Sequence, residues 1–169
     1  QTCALPILET VGNAKISTSV KKYGTGSMYF DGTSGSVIRS SGTNNNLQLG
    51  NGNFTIECWV YFNNITGAAQ IVNTSTNTTN TSYALYRSGT SLYFYLSSTG
   101  TTWDIASGLT IGTVSANTWY HVALVRSGST FTSYLNGVAG AMVTNTNTDR
   151  KSTRLNSSHT DISRMPSSA

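Results

Sequence analysis

Trp119-Tyr120-His121-Val122-Ala123-Leu124-Val125-Arg126-Ser127-Gly128-Ser129-Thr130-Phe131-Thr132-Ser133-Tyr134-Leu135-Asn136-Gly137 is the stretch that decides how this chain is read. Two runs of alternating apolar and polar residues, Tyr120 to Arg126 and Thr130 to Leu135, flank Ser127-Gly128-Ser129 and close on Asn136-Gly137. A period of two sends successive side chains to opposite faces of a strand, so the stretch predicts a β-hairpin with a second turn behind it. Asn-Gly is the pair that best tolerates the positive φ demanded at both central positions of a type I′ turn. A helix is disfavoured, because serines, glycines and stiff β-branched residues dominate.

Working outward, the same period recurs in Phe54 to Phe62, the strongest strand of the sequence. One face carries Phe54, Ile56, Cys58, Val60 and Phe62, and the other Thr55, Glu57, Trp59 and Tyr61. With both faces largely apolar or aromatic, this strand is expected mid-sheet in a sandwich, its second face lining a concavity or lying under a loop. Shorter strands are expected at Ala14 to Ser17, Ser27 to Phe30, Val37 to Arg39, Ile71-Val72, Tyr83 to Arg87, Leu92 to Leu96, Trp103 to Ala106, Gly108 to Val114 and Val138 to Val143. Leu47 and Leu49 are expected to dip toward the core. Short strands separated by Gly-, Ser- and Asn-rich turns at this spacing predict an all-β antiparallel sandwich or barrel.

Composition limits the functional classes. Only 9% of the 169 residues are charged, against about 25% in an average soluble domain, and Thr, Ser, Asn and Gly carry the polarity instead. Such surfaces suit extracellular, cell-surface or virion proteins. No apolar run approaches the ~20 residues of a membrane helix, and no signal peptide is visible. The formal charge of +4 is concentrated toward the end of the chain. If residues 1–7 are encoded as CAG ACG TGT GCT CTT CCG ATC, the reverse complement reads in frame as Asp-Arg-Lys-Ser-Thr-Arg-Leu, the string at 149–155. That identity marks residues 1–7 and 149–169 as translated library adaptor, leaving 8–148 as the natural domain, a fragment of a metagenomic kind. Without those ends Lys and Arg fall from 10 to 6, Asp and Glu from 6 to 4, and the body carries +2. No basic stripe beyond Lys21-Lys22 remains, so nucleic acid is not an expected partner. Cys58 is then the lone cysteine of the body and reads as a small buried hydrophobe.

Four blocks in order now carry a resemblance: Ser27-Met28-Tyr29-Phe30-Asp31-Gly32, Asn53-Phe54-Thr55-Ile56-Glu57-Cys58-Trp59-Val60, Trp119 to Arg126, and Tyr134-Leu135-Asn136-Gly137. Together they resemble the laminin-G/concanavalin A-like lectin superfamily. The resemblance implies a jelly-roll β-sandwich of two antiparallel sheets, a fold used in lectins, adhesion modules and some glycoside hydrolases. It also implies further strands after the Asn-Gly turn, so the sandwich is expected to lack its last strand or strands.

The chemistry argues for binding rather than catalysis. Glycoside hydrolysis needs two carboxylates about 5–10 Å apart. The body offers Glu9, Asp31, Glu57 and Asp104, with no strand carrying two at i and i+2. Glu57 with His121 is the remaining pair if their strands are neighbours, and its simpler reading is a structural hydrogen bond. Calcium would take oxygen ligands from Asp31 and Asp104, although Asp31 before Gly32 reads first as a turn residue. Zinc lacks a Cys/His cluster. A sugar ring needs aromatic faces beside amides and hydroxyls, and Tyr93, Tyr95, Trp103, Asp104 and Asn73 supply that mixture. Glu57, Trp59, Trp119, His121, Asn136 and Gly137 are read as structural. The expected function is a non-catalytic carbohydrate-binding or adhesion module of a larger extracellular or phage structural protein, its partner a glycan or a surface protein. A purely structural spacer, or a glycoside hydrolase-related domain, are the alternatives.

Overall fold

The computed structural model of the protein describes residues 8–33, 35–40, 49, 52–74 and 82–146. Both expected non-native ends, 1–7 and 149–169, lie outside the described residues, as does Leu47. The described chain is all β: β1 (Leu8–Val11), β2 (Lys15–Ser17), β3 (Ser27–Tyr29), β4 (Val37–Ser40), β5 (Phe54–Tyr61), β6 (Ala68–Asn73), β7 (Tyr83–Ser88), β8 (Ser91–Leu96), β9 (Ala106–Thr113), β10 (Trp119–Ser127), β11 (Thr130–Leu135) and β12 (Val138–Thr144). Two four-stranded sheets are present, one in the order β12-β11-β10-β5 and the other β6-β7-β8-β9, with two-stranded ribbons β1-β4 and β2-β3. Every strand pair is antiparallel. The β-sandwich read from the sequence is therefore the fold observed.

The decisive stretch folds as its turn chemistry requires. β10 and β11 pair from Val122↔Leu135 to Ser127↔Thr130, leaving Gly128-Ser129 as a two-residue turn with Gly128 at φ 59°. Leu135↔Val138 closes the second hairpin around Asn136 (φ 52°) and Gly137 (φ 80°), the two positive values of a type I′ turn. Asn136 is locked at both ends, its N–H donating to the His121 carbonyl (2.8 Å) and its Oδ1 accepting the His121 N–H (2.8 Å). Asn136→Ala is therefore expected to cost about 1–2 kcal/mol, from the left-handed backbone and the lost acceptor, with Asn136→Gly costing less. Thermal melts of the two variants check the order.

The core lies between the two sheets. Val122, Leu124 and Phe131 from one face Leu85, Leu92, Phe94 and Leu96 from the other, all buried. Each fully buried side chain of this size contributes about 1.5–3 kcal/mol. On β5 the expected inner face holds: Phe54, Ile56, Cys58 and Phe62 pack against that cluster and Val60 is part of it. Burial pushes the Cys58 thiol above its usual pKa, in keeping with a packing role. Leu49 also packs on the core.

Two expectations need correction. Trp103 to Ala106 is not a strand; β9 starts at Ala106, and Trp103 to Ile105 end a loop. Nor is β5 mid-sheet, because among the described residues it pairs only with β10. Its Trp59 face is open, and Trp59 is 38% exposed.

Two buried arginines brace the hairpins. Arg87 and Arg126, each 4% exposed, stand before the turns Ser88-Gly89-Thr90 and Ser127-Gly128-Ser129. Arg87 Nη1 donates to the Gly89 carbonyl (2.7 Å) and Arg126 Nε to the Gly128 carbonyl (3.0 Å). Each guanidinium lies over a ring, Phe62 at 5.1 Å and Phe131 at 5.0 Å. The two hairpins, one per sheet, thus share one local device.

Candidate functional site

Register places three of the five residues expected to bind a ligand, Asn73, Tyr93 and Tyr95, on one side of the β6-β7-β8-β9 sheet, and ring contact brings Trp103 to Tyr95 from the β8–β9 loop. One row across it runs Asn73↔Ala84↔Tyr95↔Ser107, and the next Gln70↔Tyr86↔Tyr93↔Thr110. Because Leu85, Leu92, Phe94 and Leu96 point into the core, the alternation sends Tyr86, Tyr93 and Tyr95 outward. All three tyrosines are half-buried, lying along the sheet rather than standing off it.

Tyr95 joins two further rings. Tyr86 meets Tyr95 edge to face (centroids 6.0 Å, 88°), and Trp103 tilts against Tyr95 (5.3 Å, 57°). Gly108 supplies the φ of 90° that the irregular part of β9 requires, and a Cβ there would lie in ordinary contact with the rings, 3.5 Å from the Tyr95 hydroxyl and 3.9 Å from Tyr93 Cδ1. On the far edge Asn73 Nδ2 donates to Gln70 Oε1 (3.3 Å), placing two amides beside the aromatic row. Ser107 and Thr110 put hydroxyls on the opposite edge, both exposed.

Asp104 serves the loop that carries Trp103. Its Oδ1 accepts the Ser98 N–H (2.9 Å) and the Ser97 hydroxyl (3.3 Å), and its Oδ2 accepts the Ser98 hydroxyl. Ser97 Oγ in turn accepts the Gly100 N–H (2.7 Å), and the Asp104 carbonyl accepts Asn145 Nδ2 (3.1 Å). Such a network fixes the loop before any ligand arrives, so Trp103 is presented without an ordering cost. Tyr86, Gln70, Ser107 and Gly108 join the face without having been expected from the sequence. Tyr86 was legible, since it sits one position beyond the inward Leu85.

The residues read as structural lie on the other sheet. His121↔Trp59 and Trp119↔Tyr61 are direct cross-strand pairs, with ring centroids 5.2 Å and 5.3 Å apart. Trp59, Trp119, His121, Asn136 and Gly137 line an open concavity of about 560 Å³ together with Lys22. Glu57 lies one pair further along, its Oε2 3.3 Å from His121 Nε2, so the expected neighbouring of these two residues is observed. Glu57 is 61% exposed at its side chain, a setting for a surface pair worth about 0–1 kcal/mol.

The carboxylates are scattered. Asp31 sits in the β3–β4 connection, Asp104 in the β8–β9 loop and Glu9 on the β1-β4 ribbon. Asp31 accepts from Asn13 Nδ2 (2.6 Å), the Thr33 N–H (3.0 Å) and the Thr33 hydroxyl (2.7 Å). Hydrogen bonds from Ser36, Asn13 and Thr33 hold its pKa well below the usual carboxylate range. The carboxylates of Asp31 and Asp104 thus accept from N–H and O–H donors around them, and among the described residues no three His, Cys, Asp or Glu are grouped. Millimolar calcium, or its chelation, is expected to leave the melting temperature unchanged, as scanning fluorimetry would show.

A family model described as the concanavalin A-like lectin/glucanases superfamily, of laminin-G type, matches residues 31–160. Among curated proteins none matches. One similar solved structure is the alginate lyase from Corynebacterium sp., 19% identical with a TM-score of 0.35, over 68% of this chain and 52% of the lyase. The chain spans about half the length of that enzyme.

Proposed function

The chain belongs to the concanavalin A-like lectin/glucanase superfamily, and from that premise we propose that it is a non-catalytic carbohydrate-binding module. The outer face of the β6-β7-β8-β9 sheet carries the reading: Tyr86, Tyr95 and Trp103 form a contiguous aromatic floor with Tyr93 paired across from Tyr86, edged by the Gln70-Asn73 amides and by the Ser107 and Thr110 hydroxyls. A pyranose ring offers apolar C–H faces rimmed by hydroxyls, and this surface is its complement. Flat rings stack on the floor while the rim exchanges hydrogen bonds, and the half-buried tyrosines lose little side-chain freedom on binding.

The non-catalytic part of the proposal rests on the carboxylates. Asp104, the acid nearest this face, spends its oxygens on Ser97 and Ser98, and Glu57 is on the opposite sheet. No second carboxylate on the described face stands ready to act as nucleophile or base. In its wider setting we place the module in a larger extracellular, cell-surface or phage structural protein, where low charge and abundant hydroxyl and amide groups suit contact with glycans.

The test is a panel of neutral hexasaccharides titrated calorimetrically, with sugar release followed in parallel. Binding of at least one member without release supports the proposal. Absence of binding across the panel points to the spacer reading, and release of shorter sugars to a hydrolase.

A further inference from the structure

The concavity on the β12-β11-β10-β5 sheet is chemically unlike the tyrosine face. Its floor is aromatic, with Trp59 and Trp119 in successive cross-strand pairs. Its polar contributions are donors. Lys22 Nζ stands 4.5 Å above the Trp59 ring and 5.6 Å from that of Tyr23, which meets Trp59 edge-on at 5.6 Å. The Oδ1 of Asn136 already accepts the His121 N–H, so what Asn136 adds is its NH2. His121 lines the floor, and Glu57 lies beyond it, outside the lining. A stacking surface under a lysine ammonium, with no carboxylate among the described lining residues, is matched by a flat ring bearing a negative charge.

We propose that this groove is a second saccharide site, specific for acidic sugars, with Trp59 stacking the ring and Lys22 pairing its carboxylate or sulfate. Lys22 lies on Trp59 in the free protein through a cation–π contact, and swings outward to meet the anion while the ring takes its place. The site does not depend on the tyrosine face, which is on the other sheet. A module with one neutral and one acidic site on opposite faces would bridge two kinds of chain.

The experiment is calorimetric titration of the full chain with tetragalacturonate and with its fully methyl-esterified, uncharged form. Variants Trp59→Ala and Lys22→Gln report on the groove, and Trp103→Ala on the other face; circular dichroism confirms that each is folded. The acid is expected to bind at least about tenfold more tightly than the ester, and to lose about tenfold in affinity in Lys22→Gln and more in Trp59→Ala, while Trp103→Ala has no effect. Raising the salt is expected to weaken it further. The proposal is overturned if the acid does not bind, if the ester matches it, or if the loss follows Trp103→Ala instead. Because the neutral panel is read separately, failure here leaves the tyrosine face untouched, and the converse.

Discussion

Arg87→Met is expected to lower the stability of the domain by about 3 kcal/mol or more, or roughly 10 °C in melting temperature for a chain of this size. The arginine donates from Nη1 to the carbonyls of Ile65 (2.7 Å), Gly67 (3.3 Å) and Gly89 (2.7 Å), and from Nη2 to that of Thr66 (3.4 Å). Methionine would fill the volume over Phe62 but satisfy none of these acceptors, which belong to the β5–β6 connection and the β7–β8 turn. Hydrogen bonds to a charged group contribute about 1.5–3 kcal/mol each, and losing four part-buried ones together frees the β5–β6 connection from the β7–β8 turn. Arg87→Lys, which keeps the charge but not the fork, is expected to recover only part of the loss. Urea denaturation of the three proteins measures it; a methionine variant as stable as the parent would show that the arginine is dispensable.

Gly140→Ala is expected to be comparably damaging, by about 2–4 kcal/mol, through crowding rather than lost charge. A Cβ at this position in β12 would stand 2.8 Å from Ser133 Oγ and 2.9 Å from the Ile111 carbonyl. Ser133, with no exposed surface, donates toward the carbonyls of Thr110 (2.8 Å) and Ala141 (3.0 Å), tying β11 to β9 of the other sheet. The methyl would force this seam apart, since neither backbone nor a fully buried serine can give way cheaply. The double variant Gly140→Ala/Ser133→Ala is expected to be less unstable than the sum of the single changes, because the two alter one contact. If instead the changes add, the crowding account is wrong.

Much of the architecture is legible because strand signals are local. Asn136-Gly137 dictates its own turn, and the alternation of Phe54 to Tyr61 separates the faces of β5 before any partner is known. What sequence cannot supply is whether the second face of a strand is covered. Trp59 and Tyr61 look like residues for the middle of a packed sheet, yet their face is open, and residues read as structural line a concavity there. Trp103 to Ala106 has the composition of a strand, but Asp104 and the Ser97-Ser98 hydroxyls give the backbone a competing set of hydrogen bonds, and a loop results. Arginine is read as surface, and only tertiary structure reveals the carbonyl cluster that buries Arg87.

The binding face follows the same division. Tyr93, Tyr95, Trp103 and Asn73 are recognisable by residue type, but their convergence depends on the registers Asn73↔Ala84 and Ala84↔Tyr95 and on the loop that brings Trp103 to the Tyr95 ring. The outward direction of Tyr86 is legible from alternation with Leu85, but its place opposite Tyr93 is set by a register no local pattern encodes.

The central claim is that neutral glycans bind on the tyrosine face. The most direct measurement is the affinity of the wild-type protein, Tyr95→Ala and Trp103→Ala for the tightest-binding neutral hexasaccharide of the panel. Each variant is expected to lose about tenfold or more, the value of one well-made stacking contact, with its melting temperature nearly unchanged for Trp103→Ala. Full affinity in both variants would contradict the account.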